Sequence, residues 1–234
     1  MATPKVEDYL KAIHDLQGEH SSAAPSAIAA ALGVTPPSVT RMLNRLHNDE
    51  LVVYEKYRGA TLTDRGERLA RAVLRRHRLL ELFLTEKLGY DWAAVHEEAD
   101  VLEHYISEKL EARIAAMLDD PTTDPHGAPI PTSNLEFPTN ADGCFLTECD
   151  EEDVKVVREV HESSADVLTY LADIGIVPGA VIRVTEVAPI GMVTVRIRET
   201  EGAIPLPDEI AAMIRVASFD NEHVEESKLA HEVS

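Results

Sequence analysis

The chain is 234 residues long, with 44% apolar residues and a formal net charge of −20. That length holds two or three small domains with real cores, and no run approaches the ~18 apolar residues that a membrane span needs. The start MATPKVEDYLK has no basic-then-apolar leader pattern, and the two cysteines, Cys144 and Cys149, make no disulfide framework, so a cytoplasmic chain with reduced thiols and no membrane association is expected. The charge is uneven: residues 1–80 carry 12 Lys+Arg against 9 Asp+Glu, and residues 81–234 carry 10 against 33. A nucleic acid would therefore meet the N-terminal third. The acidic excess, with 7 lysines to 15 arginines, also suits a halophilic cytoplasm, where screening lengths fall to ~3 Å.

Thr3-Pro4 reads as a helix start, Thr as cap and Pro in the first turn. Val6, Tyr9, Leu10, Ile13 and Leu16 continue at helical spacing. After the polar break GEHSSAAP, Ser26 is placed to cap a short helix, SAIAAALG, that ends at Gly33. VTPP makes a tight turn, and Thr35-Pro36 restarts a helix through Val39, Met42, Leu43 and Leu46. Two β-prone runs flank Tyr57-Arg58-Gly59, and Thr63 or Asp64 opens a long helix. Helix, short helix, turn, helix and hairpin is the plan of a winged helix-turn-helix, whose post-turn helix enters the major groove. Arg41 can donate two hydrogen bonds to a guanine edge. Thr35, Ser38, Thr40 and Arg45 can meet phosphates or base edges, Pro37 a thymine methyl, and Arg58, at the wing tip, phosphate or the minor groove. The competing reading is a solvated polar face on a helical domain. The wing and the local basic excess favour DNA.

Two helices split by GYDWAAV come next. The second is expected as one helix from Val95 to Ile114, with Ala99, Leu102, Ile106 and Leu110 in the core-facing stripe. On a wheel with His96 at zero, Asp100 lies near ~40°, Glu103 near ~340° and His104 near ~80°. His77 and Glu81, one turn apart on the long helix, form a nitrogen and oxygen triplet with His96. Asp8, on the first helix, joins Asp100, Glu103 and His104 in a second set. Carboxylates and imidazoles at the edge of a core must neutralise, pair or hold a cation. Such donors, with no thiolate, suit Mn2+ or Fe2+, and Zn2+ by raw affinity. His96-Glu97-x-x-Asp100 also looks like a degraded HExxH motif, which keeps a metal-dependent hydrolase as an alternative. No nucleophile or Gly-rich phosphate loop accompanies it.

DPTTDPHGAPIPTSNLEFPTNADG is a loop or linker. VKVVREV, AVIRVTEVA, VTVRIRE and AMIRVAS then read as short strands, with LADIGIVPG as a short helix and turn, the texture of a small barrel. The tail from Asp220 to Ser234 is acidic.

The stretches VEDYLKAIHDL, LGVTPPSVTRMLNRL, LVVYEKYRGATLTDRG, RRHRLLELFL, VHEEADVLEH and DPHGAPIP resemble the metal-dependent repressors of the diphtheria toxin repressor type, with the iron-dependent and manganese-transport regulators. The resemblance covers nearly the whole chain. It implies a mainly α fold with small β parts: a winged helix-turn-helix domain over 1–72, a helical dimerisation and metal domain over 73–140, and a FeoA-like, SH3-like β-barrel over 150–219 before the tail 220–234. Carried over, the primary metal site is Asp8, Asp100, Glu103 and His104. The ancillary site is His77, Glu81 and His96, with Glu159 and Glu162 as barrel ligands. The implied function is a homodimeric, non-enzymatic repressor of metal-uptake genes. It would bind double-stranded operator DNA when loaded with Mn2+ or Fe2+, Zn2+ or Co2+ substituting in vitro. A winged-helix regulator that uses no metal is the alternative.

Three departures bear on this. Asp8 and Asp100 stand where iron regulators of the family carry methionine and cysteine, and these hard oxygen donors favour Mn2+ over Fe2+. Lys11 replaces an extra first-helix glutamate of the small manganese regulators, which argues against a close binuclear site. Asp124 and Ala128 stand where the family's anion-contacting loop has Ser and Asn, although Arg78 remains. Without metal, the facing carboxylates are expected to repel and to free the N-terminal segment to shift.

Overall fold

The computed structural model describes residues 3–19, 21–138, 143–161, 165–198 and 202–219. Two units divide the chain: Met1–Gly89 with Val95–Thr122 and Pro129–Pro138, and Tyr90–Ala94 with Thr123–Ala128 and Thr139–Ser234.

In the first unit, α1 (Pro4–Glu19) buries Val6, Tyr9, Leu10 and Ile13. The Thr3 carbonyl accepts from the N–H groups of Val6 and Glu7. Helix α2 (Pro25–Ala31) starts earlier than the expected Ser26 cap, because Ala24 is the cap and makes no side-chain hydrogen bond. Pro25 has no N–H for a cap to satisfy and its φ suits the first helical position, so Ser26 falls inside the first turn. Helix α3 (Pro36–Asn48) follows the turn at Gly33 and buries Val39, Leu43 and Leu46 on one face.

Strands β1 (Val52–Glu55) and β2 (Gly59–Leu62) pair antiparallel, and Ala60 of β2 bridges to Ala23. Only glycine fits at 59: with φ at 97°, a Cβ would stand 2.6 Å from the Ala23 carbonyl oxygen. Helix α4 (Asp64–Leu88) is capped by the Thr63 side chain, which accepts from the Gly66 N–H, and stops at Gly89 in the left-handed region. Its N-terminal part joins the winged-helix core through Ala70. Its C-terminal part packs Leu79, Leu80 and Leu84 with Val95, Ala99, Ile114 and Ile130.

The single helix expected over Val95–Ile114 is two helices, α5 (Val95–Leu102) and α6 (Glu108–Met117). Ser107 makes the break. Its hydroxyl accepts from the Leu110 N–H at 3.2 Å, a local bond that competes with the helical ladder. Leu110, expected in the core stripe, is therefore 46% exposed. Pro129–Pro138 forms no helix, yet it is strapped down. Arg71, Arg75 and Arg78 of α4 donate to the carbonyls of Leu135 at 3.2 Å, Pro131 at 2.6 Å and Pro129 at 2.5 Å.

The second unit holds one antiparallel sheet of β3 (Cys144–Phe145), β4 (Val154–Val160), β5 (Val181–Ala188), β6 (Met192–Ile197), β7 (Ala203–Pro207) and β8 (Ile214–Ser218), in the order β3-β8-β4-β5-β6-β7. Bulges between Val157 and Glu159 and between Val184 and Glu186 bend it. The sheet's inner residues share a core with Leu168 and Leu171 of α7 (Ala165–Asp173). The short β-rich runs, expected to form a small barrel, make this six-stranded sheet with β3 and β7 at its edges, and it is the SH3-like part that the resemblance implies. Strand β7 escapes sequence reading because it contains Pro205 and Pro207. An edge strand tolerates them, since its outer N–H groups have no ladder partner.

Asp124 Oδ1 accepts from the N–H groups of His126 and Ala128, so this carboxylate closes its own turn. Cys144 and Cys149 are free thiols with Sγ atoms 3.8 Å apart. No helix of the described residues is long and apolar enough to cross a membrane. The acidic tail 220–234 lies outside the described residues.

Candidate metal centre

Three segments of the first unit converge. Helix α1 brings Glu7, Asp8 and Lys11, α4 brings Arg76, His77 and Glu81, and α5 with the turn after it brings His96, Asp100, Glu103 and His104. Glu103 follows the last residue of α5, but its N–H still bonds the Ala99 carbonyl at 2.9 Å. The expected helical positions therefore hold one step past the helix end.

His77 Nε2, Glu81 Oε1 and His96 Nδ1 form a triangle with sides of 2.9, 3.0 and 3.1 Å. Donors side by side around one ion at ~2.1 Å stand ~3 Å apart, so the triangle fits a single cation. Glu81 is fully buried and His77 nearly so. Asp100 adjoins this group, with Oδ1 3.3 Å from His77 Nδ1 and Oδ2 3.3 Å from His96 Nε2.

The second group is built around His104. Its Nε2 lies 2.9 Å from Asp8 Oδ1 and 3.6 Å from Glu103 Oε1. Its Nδ1 faces Glu7 Oε2 at 2.7 Å, and Glu7 in turn lies 3.4 Å from Arg76. A carboxylate on Nδ1 keeps the proton there and leaves the Nε2 lone pair for a ligand. Sequence reading missed Glu7, because the pairing spans 97 positions and no local pattern signals it.

Glu103 touches both groups, its Oε2 lying 2.6 Å from His77 Nδ1. Lys11 Nζ lies 2.8 Å from Asp100 Oδ1 and 3.1 Å from Glu103 Oε2. The facing carboxylates thus have a cation between them without any metal, contrary to the expected free repulsion. Burial pushes the Asp100 carboxyl up, but the Lys11 ammonium with His96 and His77 outweighs it and holds that group below its ordinary value. Burial raises Asp8. His104 pulls it down, and the neighbouring Glu103 and Asp100 carboxylates push it up again. The grouping differs from the carried-over primary site in one respect: Asp100 stands with His77 and His96, while Asp8, Glu103 and His104 stand together.

A model of the iron dependent repressor N-terminal DNA binding domain matches residues 1–60. A model of the iron dependent repressor metal binding and dimerisation domain matches 63–132, and a FeoA domain model matches 145–218. The iron-dependent repressor IdeR of Mycobacterium tuberculosis is 36% identical over 221 residues, 90% of this chain and 95% of that protein. The chain belongs to the iron-dependent repressor family. The transcriptional regulator MntR of Lysinibacillus sphaericus is 42% identical over 118 residues, half of this chain and 84% of that protein. A solved manganese-dependent transcriptional repressor in complex with manganese superposes with a TM-score of 0.84 at 36% identity, covering 92% of this chain and all of that one.

The chain is therefore a metal-dependent transcriptional repressor and not an enzyme. Glu97, which the hydrolase alternative would need as its base, stands exposed on α5. In the DNA-binding domain, α3 and its cap leave Thr35, Pro37, Thr40, Arg41 and Arg45 exposed and Ser38 half-buried. Thr35 Oγ1 and Ser38 Oγ lie 3.0 Å apart, Thr40 bonds the Pro36 carbonyl, and Arg45 pairs loosely with Asp49 at 3.6 Å. Arg58 stands at the wing tip, paired with Glu55 at 3.1 Å. Beside it Tyr57 is 92% exposed in a positive-φ turn, with Lys56 Nζ 5.0 Å from its ring. Neither was singled out from the sequence. Glu159 is buried on β4 between His161 Nδ1 at 3.2 Å and Arg215 Nη1 at 3.5 Å. Glu162 lies outside the described residues.

Proposed function

We propose that this repressor is activated by Mn2+, with Fe2+ as the alternative signal. In this reading it binds double-stranded operator DNA as a cytoplasmic homodimer and controls metal-uptake genes. The observation that carries the reading is the 2.9–3.1 Å triangle of His77, Glu81 and His96, with the Asp8–His104 pair beside it. The donors are imidazole nitrogens and carboxylate oxygens with no thiolate, which suits Mn2+ better than a softer site would. The DNA-binding part takes 1–72, the metal and dimer part 73–140 and the FeoA-like part 150–219.

Each residue has a distinct task. His77, Glu81 and His96 offer one donor set with Asp100 beside it, and Asp8, Glu103 and His104 the other. Glu7 orients the His104 ring. A bound divalent ion would add positive charge to that of Lys11 among these carboxylates. Asp8 is the mechanical link, because α1 also carries Val6, Tyr9, Leu10 and Ile13 of the winged-helix core. Holding Asp8 against His104 therefore fixes α1, and with it the seat of α3. In a dimer the two α3 helices must match major grooves ~34 Å apart. The α5–α6 region leaves Val101, Tyr105, Leu110 and Met117 exposed, which supports self-association there.

Metal promotes DNA binding only through its preference for the DNA-competent state. A tenfold to hundredfold gain needs ~1.4–2.8 kcal/mol of coupling. The test is Asp100→Ala, which should keep the fold but lose Mn2+-dependent operator binding. Mn2+-dependent binding at the wild-type level in that variant would sink the site assignment.

A further inference from the structure

The two donor groups meet around a cation that belongs to the chain. Lys11 Nζ lies 2.8 Å from Asp100 Oδ1, 3.1 Å from Glu103 Oε2 and 3.0 Å from His77 Nδ1. Its side chain is only 15% exposed. An ammonium has three N–H donors, and here two carboxylate oxygens, from α5 and the turn after it, accept from it, with His77 Nδ1 of α4 beside them at 3.0 Å. The partners span both groups, since Asp100 and His77 stand with His96 while Glu103 stands with Asp8 and His104. One oxygen of each of two donor carboxylates, Asp100 Oδ1 and Glu103 Oε2, is thus already bonded to the chain's own cation.

We infer that Lys11 is a tethered competitor for the metal: its ammonium fills the place between the two donor groups and must release Asp100 and Glu103 before those oxygens can bind an ion. The inference rests on the metal-site reading above. A site that must first release an ammonium takes up its ion more weakly than the same site without one, and repulsion between two like charges at close range adds to the difference. Lys11 therefore sets the metal concentration at which the repressor loads. While it stays in place it also keeps Asp100 and Glu103 from bridging two ions. In the metal-free chain it ties α1 to α5, so loading exchanges one cross-link for another.

The test is calorimetric titration of the chelator-stripped full chain with Mn2+, comparing wild type with Lys11→Leu and checking each fold by thermal unfolding. Leucine keeps apolar bulk and deletes the charge. Binding at least tenfold tighter in Lys11→Leu is expected, and equal or weaker binding overturns the inference. A second measurement needs only wild-type protein, so it stands if the variant does not fold. Lys11 is acylated with a succinimidyl ester, with and without Mn2+, and read by mass spectrometry. Labelling should rise with Mn2+ as the ammonium is released, and labelling that stays level or falls overturns the inference. Wild-type protein that takes up no Mn2+ would overturn the metal reading itself. Uptake that is indifferent to Lys11→Leu would remove only the competitor role.

Discussion

Glu7 is the sharpest lever on the His104 group. Its Oε2 sits 2.7 Å from His104 Nδ1, and the two side chains are only 12% and 9% exposed. Solvent screens this contact little, whereas Asp8 and Glu103 face the other ring nitrogen, Nε2. Deleting such an outer partner costs ~10–100-fold in metal affinity, because the ring loses its orientation and its proton can move to the coordinating nitrogen. That is ~1.4–2.8 kcal/mol. Glu7→Ala is expected to weaken Mn2+ binding at this group within that range, and Glu7→Gln, which keeps a neutral acceptor, to weaken it less. Arg76→Ala separates the effect from loss of the 3.4 Å Glu7–Arg76 pair. The assay is competition for Mn2+ against a chromophoric chelator, with thermal unfolding of the stripped proteins as the control for folding. Glu7→Ala binding within about twofold of wild type would refute the orienting role.

Three further outcomes are expected. Gly59→Ala should cost ~2–4 kcal/mol in urea unfolding, since the new methyl meets the Ala23 carbonyl at a strained φ; a loss under ~1 kcal/mol would show that the wing can move aside. In the metal-stripped protein, Asp100→Asn should lower Tm near neutral pH. The folded Asp100 carboxyl is held below its ordinary 3.8, so its ionised form stabilises the fold above that pH, and the contribution is lost as pH falls through the folded value. The gap between variant and wild type should therefore narrow as pH falls below 3.8, and a gap that stays constant or widens there would contradict the sign. Burial, with the neighbouring Cys144, pushes the Cys149 thiol up to about 12, so iodoacetamide at neutral pH should modify the half-buried Cys144 first. Equal rates at the two cysteines would count against that.

The helices of the first unit were legible where local chemistry marks their ends. Thr35 and Thr63 stand at caps, Pro4 and Pro36 occupy first turns, and Gly89 closes α4. The donor face was legible because His96 and Asp100 on α5, with Glu103 and His104 in the turn just after it, follow helical spacing. Ser107 was not, since apolar spacing runs straight through it and only its hydroxyl bond to Leu110 reveals the break. Nor was the arginine strap, because no local pattern ties Arg71, Arg75 and Arg78 to the carbonyls of the proline-rich segment that folds back onto them. The Glu7–His104 and Lys11–Asp100 pairings join segments roughly 90 or more positions apart. They are set by how α1 packs, which periodicity does not encode.

The central claim is that metal controls DNA binding. It is tested most directly by fluorescence anisotropy of the chelator-stripped repressor on operator-bearing duplex DNA, with Mn2+, Fe2+ under anaerobic conditions, or neither. Salt must be held fixed, because phosphate contacts make affinity steeply salt-dependent. Binding tighter by at least ~10-fold with Mn2+ than without, a coupling of ~1.4 kcal/mol, is the expected result. Stronger activation by Fe2+ would contradict the choice of metal, and affinity indifferent to either ion would contradict the control of DNA binding by metal.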